Sequence, residues 1–416
     1  MLATAETGST AARELAVQVL GSVQRKGLQQ LYWERPPVPL PEDVHAQREI
    51  QVPEIHVPSM FPNLRRLRLW KPVGSSDWVA GLGALKNLVW LELNVKPEEQ
   101  AAAAAIQLPL LARLTRLVLT VHASAVAHLH LAKLPALSEL TLRSAWVSML
   151  EEEGRAALLT DEPVHHLHHL DCGGLGRLSA DFAALPGLRS MVLGGRMGWD
   201  QPRSIAAATA LTWLGLQYGD EGDPEPVALE VLSSLPPSVR CLELTGPWTA
   251  QAAALVGDMQ GLAGLALRSW AGEGPPLPPQ GAPLWAGLRA FSWILDSDEF
   301  GGDGPSLPQA LEQASKLKTL QALVNSVTVY ELDLITSLPA LENLILATPT
   351  PEGGVTGSSD TCGAAVRRIA QRAMPEVQVL DEQCWQSLGE QCLQCLGEEG
   401  WHSRDSRAFF EWALEE

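Results

Sequence analysis

The chain has 416 residues, of which 46% are hydrophobic, and its formal net charge is −18 at pH 7. This length exceeds one ordinary compact domain, so the chain holds either two or three such domains or one elongated repeat array. The acidic balance disfavours binding to nucleic-acid phosphates, and six cysteines are too few for a disulfide framework, so we expect no nucleic-acid partner and a reducing compartment.

The amino-terminal residues 1–60 are predicted to cap the repeats that follow. Residues 10–31 have the pattern of an amphipathic helix, a proline-rich stretch follows, and residues 50–57 form either a strand pair or one further repeat. No basic segment precedes an apolar one as in a secretory signal, and no apolar run approaches the roughly 18 residues of a membrane helix. We therefore expect a cytoplasmic protein, with the nucleus as the alternative, and no membrane partner.

A leucine pattern, LxxLxL, recurs through most of the chain with a mean spacing of about 25 residues. Each copy predicts a short strand whose alternate leucines point inward, and neighbouring copies bury them by stacking as a parallel sheet. The thirteenth, degenerate copy is expected to begin at Val377. The first twelve copies begin at residues 64, 88, 114, 137, 167, 188, 211, 239, 262, 288, 317 and 341.

This pattern resembles the leucine-rich-repeat family over residues 61–380, and its repeat length is similar to that of the ribonuclease-inhibitor-like branch. The resemblance implies an α/β solenoid, a horseshoe with about 12–13 short parallel strands on its concave side and mainly helical segments on its convex side. A helical cap at each end is expected, the second over residues 381–416. The return segments predicted to be helical are residues 77–88, 98–114, 249–262 and 308–320.

In this family an asparagine is common at one position of the turn after each strand. In this sequence only Asn325 fits that position, and the other repeats have other residues there. We expect tryptophans to close these turns by packing, with exposed contacts as the alternative; they are Trp146, Trp199, Trp248 and Trp270. Four insertions interrupt the repeats, and we interpret them as surface loops, with a binding edge as the alternative. They span residues 219–226, 273–283, 296–308 and 348–360.

The register places a basic and aromatic group on adjacent strands, facing solvent. Tryptophan and arginine are enriched at binding hot spots, so this group is the main candidate for partner binding. An ordinary solvated sheet face with arginine stacked on tryptophan is the alternative. The residues are Arg66, Arg68, Trp70, Trp90, Glu92 and Arg116.

A second polar group, Glu139, His169 and Asp171, extends the candidate binding surface. Two carboxylates and a histidine could bind a divalent cation, but no fourth ligand is specified, so we interpret the group as a hydrogen-bonded polar patch. Cys384, Cys392, Cys395 and His402 lack the paired spacing of a zinc site. Residues 296–304 are not a calcium loop, because the position that needs glutamate is Leu307.

No nucleophile–base pair and no phosphate-binding motif stands out, so we expect neither catalysis nor a cofactor. The sequence predicts a protein–protein recognition or scaffold module that binds a protein through its concave face or its strand-exit loops. One alternative is a substrate receptor of a ubiquitin ligase, for which residues 40–44, LPEDV, look like a degenerate F-box start. The other alternative is a small-ligand or metal binder.

Overall fold

The computed structural model describes residues 30–33, 63–73, 81–95, 108–121, 126–144, 155–175, 177–194, 198–199, 202–217, 225–246, 248–269, 276–295, 309–323, 334–347, 378–381, 410 and 414. The chain divides into two compact units. The first unit covers Met1–Arg189 and Arg196–Ser204, and the second covers Ser190–Gly195 and Ile205–Glu416.

Short strands dominate the described part of both units. In chain order they are β1 Gln30–Trp33, β2 Arg66–Val73, β3 Trp90–Val95, β4 Arg116–Val121, β5 Val126–His130, β6 Glu139–Ser144, β7 Arg155–Leu159, β8 His169–Gly174, β9 Arg177–Ser179, β10 Ser190–Gly194, β11 Gly198–Trp199, β12 Trp213–Gln217, β13 Cys241–Thr245, β14 Gly264–Ser269, β15 Ala290–Leu295, β16 Thr319–Leu323, β17 Asn343–Ala347 and β18 Gln378–Asp381.

Helical segments are fewer than strands in the described part of the chain. The α-helices with both ends among the described residues are α1 Glu225–Ser233, α2 Ala250–Gly257 and α3 Pro283–Gly287, and residues 334–336 are also helical. The 3₁₀ turns are Leu82–Ala84, Leu131–Lys133, Phe182–Ala184, Pro202–Ala207 and Gln309–Gln313.

The leucine repeats form parallel ladders in register, as the spacing predicts. In the first unit β1, β2, β3, β4, β6 and β8 pair in that order, and the central leucines of neighbouring strands face one another, as Leu91 faces Leu117. In the second unit β10 and β12 to β18 pair in order, with Leu242 opposite Leu265. All four leucines are fully buried. Burial of each stabilises the stack by roughly 1.5–3 kcal/mol, and the fold is a leucine-rich-repeat solenoid.

The expectation of mainly helical return segments is wrong for the described part of the first unit. There β5, β7, β9 and β11 pair as a second parallel sheet. The reason is a local period of two: Ala127 and Leu129 are buried, while the residues between and after them are only half-buried. Such alternation suits a strand with one face on the core. In the second unit α1, α2 and α3 match the expectation more closely.

The four predicted return helices differ in outcome. The prediction for residues 249–262 is confirmed by α2, where the Thr249 side chain caps the helix by accepting a hydrogen bond from the Ala252 amide. The described part of residues 77–88 begins with the helical Gly81 and continues into the short turn Leu82–Ala84. The described part of residues 308–320 contains the short turn Gln309–Gln313 and the start of β16. Residues 108–111 are not helical, because Pro109 disfavours the helical conformation of the residue before it.

The ends of the array also differ from the prediction. Residues 30 and 31, expected to end a helix, lie in β1, which pairs in parallel with β2 and so adds a strand before the first leucine repeat. The degenerate repeat at Val377 is confirmed as β18, which pairs with β17. Residues 10–29, 50–57 and the F-box-like residues 40–44 lie outside the described residues.

One of the turn tryptophans is described in full, and it supports closure by packing. Trp248 is buried, and its indole N–H donates to the carbonyl oxygen of Pro276 at 2.7 Å. This bond ties the turn after β13 to the insertion at 273–283, so the described part of that insertion packs against the repeats. Trp146 and Trp270 lie outside the described residues, as do Asn325, the side chain of Trp199 and the insertions at 296–308 and 348–360.

Candidate functional site

Residues between the strand leucines point away from the leucine core. We call the side of the sheet that carries them the non-core face. In the first unit this face carries two rows of residues that are neighbours across the strands. The first row is Arg66, Trp90, Arg116, Glu139 and His169. The second row is Arg68, Glu92, Val118, Thr141 and Asp171.

Opposite charges alternate across these rows and pair between neighbouring strands. Arg68 Nε lies 3.3 Å from Glu92 Oε2, and Arg116 Nε lies 3.5 Å from Glu139 Oε2. Burial lowers the pKa of Arg116, and the carboxylates of Glu139 and Glu92 oppose that shift by favouring the charged form. The pairs therefore hold two arginine heads in fixed positions on the sheet, so a partner would meet an ordered charge pattern.

Accessibility on this face differs from residue to residue. Arg66 is exposed, and Trp90 and Glu92 are half-buried, whereas Arg68 is nearly buried. Trp70 lies on β2, but its side chain is outside the described residues. Arg66, Arg68, Trp90, Glu92 and Arg116 thus lie together on one face, with the exposed Arg66 beside Trp90.

The second predicted group lies on the same face, where both of its carboxylates have partners. Glu139 Oε2 lies 3.5 Å from Arg116 Nε, and Asp171 Oδ1 accepts a hydrogen bond from the Gly173 amide at 3.0 Å. Within the described ranges, no set of three or more His, Cys, Asp or Glu residues is placed to hold a metal ion. Cys384, Cys392, Cys395 and His402 are not among those residues.

The non-core face of the second unit is far more buried than that of the first. Its two rows are buried at every described side chain except Asn343, which is half-buried. The first row is Ser190, Trp213, Cys241, Gly264, Ala290, Thr319 and Asn343. The second row is Val192, Gly215, Glu243, Ala266, Ser292, Gln321 and Ile345.

Phe410 contributes to the burial of this face. It is 2% exposed and forms one apolar cluster with face residues, and Leu414 packs against that cluster. The face residues are Val192, Trp213, Cys241, Ala266, Ala290 and Ile345. Within the cap expected over residues 381–416, the described residues Phe410 and Leu414 are both helical, and the Phe410 ring lies beside Gly264 of β14.

Gly264 makes this contact possible. A Cβ atom placed on Gly264 would lie 2.6 Å from Cδ1 and Cε1 of the Phe410 ring and 3.3 Å from the sulfur of Cys241. Real Cβ atoms do not approach a ring so closely, so the absence of a side chain at 264 creates the room for the ring. Sequence reasoning missed this contact, although Cys241, Gly264 and Ala290 form a run of small residues across three strands.

Buried polar groups on this face pair with each other. Glu243 is 1% exposed, lies 3.5 Å from Arg268 Nε through Oε1, and accepts a hydrogen bond from Thr245 Oγ1 at 3.3 Å. Ser292 donates to Gln321 Oε1 at 3.0 Å. The carboxylate of this ion pair is more buried than those of the described pairs Arg68–Glu92 and Arg116–Glu139 of the first unit.

Comparison with known proteins gives structural likeness only. No family model matches the sequence, and no curated protein is found to be similar. An internalin, InlF, from Listeria monocytogenes has 14% identity and a TM-score of 0.32 over 78% of this chain and 88% of its own. A leucine-rich-repeat protein from Leptospira interrogans has 15% identity and a TM-score of 0.31 over 78% and 85%.

The third similar structure is TLR13 in complex with ssRNA13, with 16% identity and a TM-score of 0.34 over 71% of this chain and 47% of its own. At these identities and scores the assignment of the fold rests on the ladder of repeats in the chain itself. No helix among the described residues is long and apolar enough to cross a membrane.

Proposed function

We propose that this protein is a non-catalytic recognition or scaffold module that binds a protein partner through the non-core face of its first unit. The observation that carries the proposal is the in-register row of Arg66, Trp90 and Arg116 beside the ion pairs of the second row. Arginine and tryptophan are the side chains that most often contribute large shares of binding energy at protein interfaces.

The proposed mechanism is complementarity of shape and charge. The ion pairs fix Arg68 and Arg116 by contact with Glu92 and Glu139, so little side-chain freedom is lost when a partner docks. Arg66 is exposed and can pair with an acidic group of the partner, while the Trp90 ring supplies apolar area. An acidic site on a protein therefore fits this part of the face.

Several further assignments belong to the same proposal. The net charge of −18 supports a protein rather than a nucleic-acid partner. Neither Cys172 nor Cys241 forms a disulfide among the described residues, which supports a reducing compartment such as the cytoplasm. The helices α1 and α2 of the second unit support the ribonuclease-inhibitor-like branch.

Affinity capture from a native extract tests the proposal. The bait proteins are the wild-type chain, the double variant Arg66→Glu/Trp90→Ala, and the control Lys86→Glu. Lys86 is exposed and lies in a turn between strands, so the control repeats the charge reversal away from the face. We expect proteins captured by the wild type and by the control to be lost from the double variant. If all three baits retain the same proteins, the first-unit face is not the recognition site.

A further inference from the structure

We propose that the non-core face of the second unit is a binding site for an amphipathic helical peptide with an aromatic residue followed four positions later by an aliphatic one. Phe410 and Leu414 occupy this site within the chain itself and compete with such a peptide. The site lies in the other unit from the surface of the proposed function and does not depend on it.

The shape of the face selects for a flat ring. Trp213, Cys241, Gly264, Ala290 and Thr319 are neighbours across five strands, with the three smallest in the middle. The missing Cβ of Gly264 leaves a depression in which the Phe410 ring lies against the backbone. Larger side chains stand on both sides of the depression, so its width is limited along the row.

The spacing of the occupant defines the chemistry of the ligand. Phe410 and Leu414 are four residues apart and both are helical, and residues at this spacing lie on the same face of a helix. Both side chains pack on the same cluster, which includes Val192 and Ile345 from strands far apart in the sheet. A helix laid across an apolar surface through such anchors is a common mode of peptide recognition.

Phe410 and Leu414, the present occupants, do not supply a hydrogen-bond acceptor that the site could use. Trp213 belongs to the cluster and is 5% exposed, yet no acceptor bonds its indole N–H within the part of the chain that the structure describes. A buried donor without an acceptor weakens the closed state relative to one that supplies an acceptor. A peptide with a carbonyl, amide or carboxylate oxygen at this point would therefore satisfy the site better than Phe410 and Leu414 do.

The test uses a fluorescein-labelled peptide of residues 404–416, RDSRAFFEWALEE, titrated into the full-length chain and followed by fluorescence anisotropy. Phe410→Ala in the chain should vacate the site and make peptide binding at least about 10-fold tighter than in the wild type. A peptide with alanine in place of Phe410 should not bind. Adding Gly264→Leu to the Phe410→Ala chain should abolish binding, because the leucine side chain fills the depression.

Three results would overturn the proposal: equal affinity of the wild type and the Phe410→Ala chain, no binding to a folded Phe410→Ala chain, or unchanged binding after Gly264→Leu. Folding of each variant is checked by circular dichroism. If Phe410→Ala does not fold, hydrogen exchange of the wild-type chain decides the question. Excess heavy-isotope peptide should then accelerate exchange of the chain's own residues 408–414, and unchanged exchange would contradict the proposal.

Discussion

Both units have a ladder of leucine repeats, but the residues on their non-core faces differ in size and charge. In the first unit the residues between the leucines are arginine, glutamate and tryptophan, and Arg66 and Trp90 are accessible to a partner. In the second unit the equivalent positions around Cys241, Gly264 and Ala290 are small, and Phe410 packs on them. The leucines fix where each strand lies, whereas the intervening residues decide whether its non-core face is open or covered.

The largest expected difference between the two units is in the free energy of unfolding that is lost when an ion pair is broken. Glu243→Ala leaves Arg268 buried without its carboxylate, and we expect the free energy of unfolding to fall by about 3–5 kcal/mol. Glu139→Ala removes the partner of Arg116, but because its side chain is 36% exposed the loss should stay below about 1 kcal/mol. Urea unfolding followed by tryptophan fluorescence measures both. Equal losses of unfolding free energy would contradict the expectation that the more buried ion pair contributes more to stability.

The aromatic cover gives the next largest effect. Phe410→Ala removes a buried ring from the second unit, and we expect a loss of about 3 kcal/mol in the free energy of unfolding. Leu110→Ala is the matched control, because Leu110 is 56% exposed in the first unit and should change stability by less than about 0.5 kcal/mol. A Phe410→Ala chain as stable as the control would mean that the ring does not hold the face closed.

The smallest expected effect is a pH response of the first unit. Burial lowers the pKa of His166, opposed by a hydrogen bond to the Leu134 backbone, so the unfolded chain binds more protons there than the folded chain. Stability should therefore fall as the pH drops below about 6.5, the ordinary histidine pKa.

Replacing His166 tests whether this residue causes the pH response. His166→Gln should flatten the fall in stability between pH 7 and pH 5.5, measured from urea midpoints. The second unit has one histidine, His402, so little of this response is expected from it. An unchanged slope in the variant would exclude His166 as the cause.

The leucine register could be predicted from sequence because it is local and repeated. The same register correctly placed Arg66, Trp90, Arg116 and Glu139 on one face. Return segments were harder to predict. The alternation that marks β5, with Ala127 and Leu129 on the buried side, extends over only five residues. At that length helix and strand patterns are easily confused.

The contact of Phe410 with Gly264 could not be predicted from local pattern. The two residues are far apart in the sequence, and a glycine inside a strand is compatible with a bulge, a bend or a close approach by another group. The helical cap expected over residues 381–416 implies an apolar side, but it does not say which surface that side will cover. The terminal cap expected there reflects this limit.

Site-resolved alkylation of two buried cysteines tests most directly whether Phe410 closes the second-unit face. Cys241 lies under the aromatic cover, whereas Cys172 lies in the leucine core of the first unit, where burial raises the pKa of its thiol. With iodoacetamide and peptide mass mapping, both should be protected in the wild type. In Phe410→Ala, the rate at Cys241 should rise at least about 10-fold while Cys172 stays protected. Rapid reaction of Cys241 in the wild type, or no change in the variant, would contradict the account.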